Sequence, residues 1–353
     1  MRDNTTTRLD RGPKGTDERA LTVESARASV RSVDLHKKVD PTNLPGGRPA
    51  HTAGLFLRGQ LKAWPGSERF TSPVFHRTEP EVVVRLSPMM SGIKDLWVDL
   101  HGISVRIQAS DDASDFSDLV ALNTHPFMFR SADDFAMFLG RMNGGPREIA
   151  IGLGAFGLAA VAGKASVHGM ANAIGSMLRA NSPLLGNSYW GIHTFFADRR
   201  LESGETVRVP YRYRLEISDD GTGHKARSPG RVLGRYRDIA ERVDKGAPLH
   251  IDLIFMLPWK WERLVDWPNV PTGIRQQVIN PIADWKPVTR IRVATLVLDT
   301  VLDARAFDGG RTASEFDTLM FDPTRLSDGL YASEDPLLRS RSGVYAESHM
   351  RRA

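Results

Sequence analysis

Near the end of the chain, in "RSRSGVYAESHMRRA", four side chains fall at a spacing that could do chemistry together. Read as a helix, residues 336–352 place Arg341, Tyr345, His349 and Arg352 at i−4, i, i+4 and i+7, one stripe of one face. A phenol reacts and ligates as its anion. A neighbouring guanidinium favours that anion, and a ferric ion on the oxygen favours it far more. Tyrosinate is one of the few protein ligands to a haem iron. Taken alone, the same stripe also describes the solvated face of a basic amphipathic helix.

The bulk composition narrows the chemistry. The chain has 353 residues, is 41% hydrophobic and 25% charged, and carries a formal charge of +5, values that fit a globular protein of one large or two ordinary domains. Its basic residues are scattered, without a Lys-rich block or interleaved aromatics, so no nucleic-acid partner is predicted; a bound anionic group is a better destination for some arginines. Cysteine is absent, which excludes disulfides, thiolate catalysis, cysteine-ligated zinc and iron–sulfur clusters. "MRDNTTTRLDRGPKG" has no apolar core of a signal peptide, and a cytoplasmic location is expected. The most apolar run, "IAIGLGAFGLAAVAG", is fifteen residues long and too short to span a bilayer.

The elements that must position these residues are mainly strands. Residues 1–40 read as a flexible polar arm. Residues 41–335 hold β-like runs: "LFLRGQLKAW", "EVVVRLS", "GISVRIQA", "FSDLVAL", "IHTFFA", "VRVPYRYRLEI", "HIDLIFML" and "RIRVATLVLD". "EISDDGTGHK" reads as a hairpin turn. "SADDFAMFLGRMN" reads as a helix capped by Ser131, with Phe135, Phe138 and Leu139 on one face, and "GMANAIGSMLRA" as another. A last helix, 336–353, starts at Pro336 with Asp335 as its cap. The expected class is α+β: an antiparallel β-barrel of about eight strands with inserted helices. "GLGAFG" matches G-x-G-x-x-G, but no acidic residue follows about 20 positions on and no βαβ pattern surrounds it. It reads as a small-residue helix against the barrel or near a membrane surface. Met89 and Met90 in "SPMMSG" read as core packing.

"FDPTRLSDGLYASEDPLLRSRSGVYAESHMRR" resembles, without a gap, the proximal segment of the haem catalases. The resemblance implies Tyr345 as the iron ligand, Arg341 as its hydrogen-bond donor, and His349 and Arg352 at cofactor-binding positions, Arg352 on a propionate. "YAES" departs from the family's Tyr-Pro-Asp-Thr. Upstream, "RPAHTAGLFLRG" is similar to the distal-histidine segment, which implies His51 as the distal base and Arg48 as a propionate partner. "VVVRLS" implies Arg85 as a second propionate partner and Ser87 as the group that orients the histidine. "DLHGISVRI", "GIHTFF" and "VATLVLD" resemble further strands of that barrel. "DLVALNTHPFMFRSADDF" is similar to the distal-asparagine segment and implies Phe135 as the aromatic cover of the haem. Without a gap, Leu122 occupies the asparagine position; a one-residue shift gives Asn123, the residue assigned.

The cofactor implied is haem b, its iron ligated by tyrosinate. The expected family branch, which lacks a C-terminal helical layer, is similar to the small catalase-related peroxidases and the coral-type allene oxide synthases. The expected function is a haem-dependent peroxidase reducing organic hydroperoxides and to some degree hydrogen peroxide, with His51 moving the proton and Asn123 steadying charge on the far oxygen. Two alternatives stay open: rearrangement, dehydration or cleavage of a fatty-acid hydroperoxide without a reductant, and haem or lipid binding without turnover. Ala50, smaller than the usual neighbour of the distal histidine, implies a wide pocket. A homo-oligomer is expected, and membrane contact is not predicted.

Overall fold

The computed structural model describes residues 51, 53–89, 100–142, 146–178, 184, 187–218, 232–304, 316 and 319–350. The arm at 1–40, Arg48, Met90 and Arg352 lie outside them. The strands are β1 (Leu55–Ala63), β2 (Glu81–Pro88), β3 (His101–Gln108), β4 (Phe116–Leu122), β5 (Ser188–Trp190), β6 (Phe195–Arg200), β7 (Thr206–Ser218), β8 (Leu249–Pro258), β9 (Val288–Asp303) and β10 (Leu330–Ala332). Between β4 and β5 come α1 (Ala132–Met142), α2 (Pro146–Val161) and α3 (Val167–Leu178). Helix α4 (Val232–Asp244) joins β7 to β8, α5 (Thr272–Ile279) joins β8 to β9, and α6 (Pro336–Met350) follows β10.

Strands β1 to β5 and β7 to β9 close an eight-membered antiparallel ring, because β7 pairs with β5 on one side and β8 on the other. The long β7 serves two sheets. Its first half, Thr206 to Tyr211, pairs with β6, which also carries β10; its second half belongs to the barrel. The alternation seen in the sequence sets the two faces. Leu55, Leu57, Val82, Val84, Ile103, Val105, Leu119 and Ala121 point inward and are buried in the main core. An eight-stranded barrel is just wide enough for side chains to fill it, and here they do, with Tyr211 stacked on Phe255 at 4.1 Å. The interior is therefore packed, and any ligand must sit outside it.

One connection differs from expectation. β7 and β8 are antiparallel neighbours, but α4 stands in the connection where a tight hairpin was expected; residues 219–231, which include most of that turn, lie outside the described ones. Val232, Tyr236, Ile239 and Val243 of α4 are all buried in the barrel core. Helix α1 begins as expected: Ser131 Oγ accepts the Asp134 amide at 3.1 Å and donates to Asp134 Oδ2 at 2.7 Å. The small-residue run forms α2, whose Phe156 packs on Phe138 of α1 and on Phe129, in the apolar cluster that also takes in Leu122 of β4.

Helix α6 is tied down at both its start and its middle. Asp335 Oδ1 accepts the Leu337 amide at 2.9 Å as its N-cap. Ser342 Oγ donates to Asp322 Oδ2 at 2.7 Å, and the Asp322 amide donates to Asp118 Oδ2 at 2.9 Å. Arg106 grips the same buried Asp118 with two N–H groups at 2.9 and 2.8 Å. The helix is thus fixed to β3 and β4 through a polar chain.

Buried histidines should make the fold acid-sensitive. Burial, with Arg235 nearby, lowers His101 to about 3; burial, with Arg212, lowers His125 to about 4. The unfolded chain takes up these protons near pH 6.5, so the stabilisation is complete above that pH and is lost as pH falls towards the folded values. Each histidine can contribute a slope of up to ~1.4 kcal/mol per pH unit. Urea midpoints measured from pH 7.5 to 5 should fall steadily, and His101→Gln should flatten the decline.

Candidate active site

On α6, Arg341 and Tyr345 stand one turn apart, and an Arg341 terminal nitrogen donates to the Tyr345 hydroxyl at 2.5 Å. The other terminal nitrogen reaches His193 Nε2 at 3.1 Å, and His193 Nδ1 reaches Asp335 Oδ2 at 2.6 Å. His193 and Asp335 are both buried. Burial holds the imidazole below its usual titration range, against the opposing pull of Asp335. Neutral His193 therefore carries its proton on Nδ1, donates it to Asp335, and accepts from Arg341 on Nε2. Four residues from two distant segments form one polar chain ending on a phenol oxygen. His349 lies one turn beyond Tyr345, and its Nδ1 is buried with no partner among the described residues.

The second cluster is built on the outer face of the barrel. His51 has φ of 55°, a left-handed conformation that costs a non-glycine residue about 1 kcal/mol. Three contacts hold it there. Its amide donates to the Met89 carbonyl at 3.2 Å, Arg85 donates to its carbonyl, and Ser87 Oγ lies 3.1 Å from its Nδ1. Glycines give close approach at two positions around this cluster. A Cβ on Gly54 would fall 2.4 Å from Arg85 Nε, and one on Gly102 would fall 3.0 Å from His51 Cε1.

Strand register decides which residue of β4 meets the imidazole. Ser87, Gly102 and Leu122 are paired across β2, β3 and β4. The same point above Gly102 that lies 3.0 Å from His51 Cε1 lies 3.6 Å from Leu122 Cδ2. Asn123, the next residue, turns to the other side: its Oδ1 accepts the His101 amide at 2.8 Å. It lines a separate cleft of about 770 Å³ with His125, Trp190, Arg212, Arg214 and Trp285. Of the two alternatives, Leu122 is therefore the one brought to His51. Phe135 packs on Phe127 and Phe129 at ring distances of 5.2 and 5.9 Å, in an apolar cluster that also takes in Leu122 and Leu337 of α6.

Both clusters adjoin β4. His51 does so through Leu122. Arg341 and Tyr345 lie within electrostatic reach of Tyr213, whose hydroxyl is bonded to both the amide and carbonyl of Val120, each at 2.8 Å. Of the assigned site residues, the structure joins His51, Arg85 and Ser87 in one cluster and Arg341 and Tyr345 in another, and Phe135 lies in the apolar cluster that takes in both Leu122 and Leu337 of α6. His193 and Asp335 were not singled out as site residues. "GIHTFF" and the Asp before Pro336 were visible, but their partnership spans 142 positions.

A closed eight-stranded antiparallel barrel of this order, with its inserted helices, is a catalase-like fold. Among solved structures, the chain is similar to catalase A from Saccharomyces cerevisiae, with a TM-score of 0.61 and 18% identity over 88% of this chain and 62% of that one. It is also similar to a bacterial catalase, with a TM-score of 0.61 and 19% identity over 98% and 63%, and to a fungal catalase, with 0.60 and 18% over 87% and 59%. The chain spans about three fifths of the length of these structures. No protein-family model and no curated protein matches it.

Proposed function

We propose that this chain binds haem through Tyr345 and acts on organic hydroperoxides. The observation that carries the reading is the chain Asp335–His193–Arg341–Tyr345, which presents a phenol oxygen gripped by a guanidinium. The residues fit the group. Tyr345 has the donor chemistry of a ferric-haem ligand, and the buried, unpartnered His349 Nδ1 suits a propionate. Arg85, with Arg48 and Arg352, would supply further cations for the propionates. The glycine at 102 leaves room beside His51 that a side chain would fill.

Bound there, haem b would supply the redox chemistry of O–O cleavage. His51 takes the proton from the near oxygen of the hydroperoxide and returns it to the departing oxygen. Ser87 fixes the rotation of that imidazole, and Arg341 holds the Tyr345 oxygen by its hydrogen bond. Leu122 sets the substrate class. It offers no hydrogen bond to the departing oxygen, and with Phe135 and Phe127 it makes an apolar wall. Such a wall favours an alkyl chain over hydrogen peroxide.

Dye oxidation driven by an alkyl hydroperoxide, compared with oxygen release from hydrogen peroxide, tests this. The alkyl hydroperoxide should be the better substrate by kcat/KM. Leu122→Asn should raise hydrogen peroxide turnover by up to about 10²-fold, the order a placed donor supplies. The apolar wall equally favours a second reading, rearrangement or cleavage of a lipid hydroperoxide, marked by substrate loss without dye oxidation. Haem-loaded protein inert to all three assays would leave a binding barrel and defeat both.

A further inference from the structure

From Ile149 to Gly163 the sequence runs "IAIGLGAFGLAAVAG", fifteen residues without one polar side chain, bounded by Arg147 and Lys164. Most of this run is helix α2, and among the described residues about half of its circumference is covered. Phe156 enters the cluster with Phe129 and Phe138, and Ala159 and Ala160 lean on the same cluster. The rest is open: Leu153 is 49% exposed, Leu158 75% and Val161 91%, and Val167 just beyond is 65% exposed. At about 100° per residue, the open positions from Leu153 through Val161 and Leu158 to Ala155 cover about half the helix circumference, and that arc is apolar except for Arg147 at its N-terminal end. A helix apolar all round is normally buried in something.

We infer that α2 lies in the interfacial plane of an anionic lipid bilayer. Three observations choose this occupant over a protein. A rigid partner covers one stripe of a helix and would leave the flanks of so wide an arc wet, whereas fluid hydrocarbon covers all of it. The sixteen residues of α2 span about 24 Å, and among the described residues no helix is long and apolar enough to cross a membrane. A helix of this kind lies along the surface. Charge is complementary as well. Arg147 and Lys164, both exposed, sit at the two ends where long cationic side chains can reach lipid phosphates, and the acidic Glu148 is already paired with Arg141. This docking goes beyond the hydroperoxide reading and does not depend on it.

Sedimentation of the full chain with lipid vesicles tests the inference. The protein should bind phosphatidylserine-containing vesicles and bind pure phosphatidylcholine vesicles more weakly, with the difference shrinking at high salt. The double variant Leu158→Gln, Val161→Gln should bind at least tenfold more weakly to both, with an unchanged circular dichroism spectrum and Tm. Arg147→Gln with Lys164→Gln should weaken only the binding to anionic vesicles. Binding unchanged in the Leu158, Val161 variant would trace it to general positive charge and overturn the inference. So would a self-association abolished by Leu158→Gln in a protein that ignores vesicles, because a second copy would then cover the face.

Discussion

Tyr345→Phe should give a folded barrel that no longer retains haem. The substitution removes one hydroxyl, which accepts a hydrogen bond from Arg341. A lost hydrogen bond of this kind changes folding stability by about 1 kcal/mol, small beside what the barrel core contributes. The effect on the cofactor is of another order. Loss of a partner that merely orients a metal ligand costs about 10–100-fold in affinity. Loss of the ligand itself should exceed about 100-fold, while Arg341→Ala should fall inside that range. Hemin titration followed in the Soret region, with urea unfolding as the control, separates the two effects. A variant that binds haem with the parent's visible spectrum and affinity would show that Tyr345 does not hold the iron.

His51→Ala should do the reverse: haem stays and turnover falls. A positioned general acid–base contributes about 10²–10⁴-fold to rate. The fold should tolerate the change. Alanine has the same difficulty as histidine at φ of 55°, and the lost Ser87 contact is worth about 1 kcal/mol. His51→Gly, which relaxes the left-handed backbone, should match or exceed the parent in stability and share the loss of activity. Single-turnover mixing with an alkyl hydroperoxide measures the chemical step directly. If both variants keep parental rates, His51 is not the proton carrier.

Much of the barrel could be read from alternation alone. β1 to β4 and β7 to β9 place apolar residues on most of their inward positions, and that pattern shows in sequence because burial there favours apolar side chains. β5 and β10 have three residues each, too few for any period to show. Helix α4 was hidden for a different reason. A turn signal stands directly before it, and the eye stops there, although Val232, Tyr236, Ile239 and Val243 carry the helical spacing. At the site, Arg341 and Tyr345 were legible because one helical turn brings them together. His193 reaches Arg341 across 148 positions, which only the folded chain can arrange. The choice between Leu122 and Asn123 rests on strand register. Consecutive residues at the end of β4 face opposite ways, and the pairing of Leu122 with Gly102 settles which one faces His51. The exposure of α2 was not legible at all, because an apolar run has the same sequence whether protein or lipid covers it.

Every step of the proposed chemistry depends on a porphyrin iron meeting the Tyr345 oxygen, so hemin titration of the purified chain is the most direct test. The account predicts a Soret band that grows to saturation at one haem per chain, with the visible bands of a ferric phenolate-ligated haem. A chain that stays without a saturable Soret band at stoichiometric and excess hemin contradicts it.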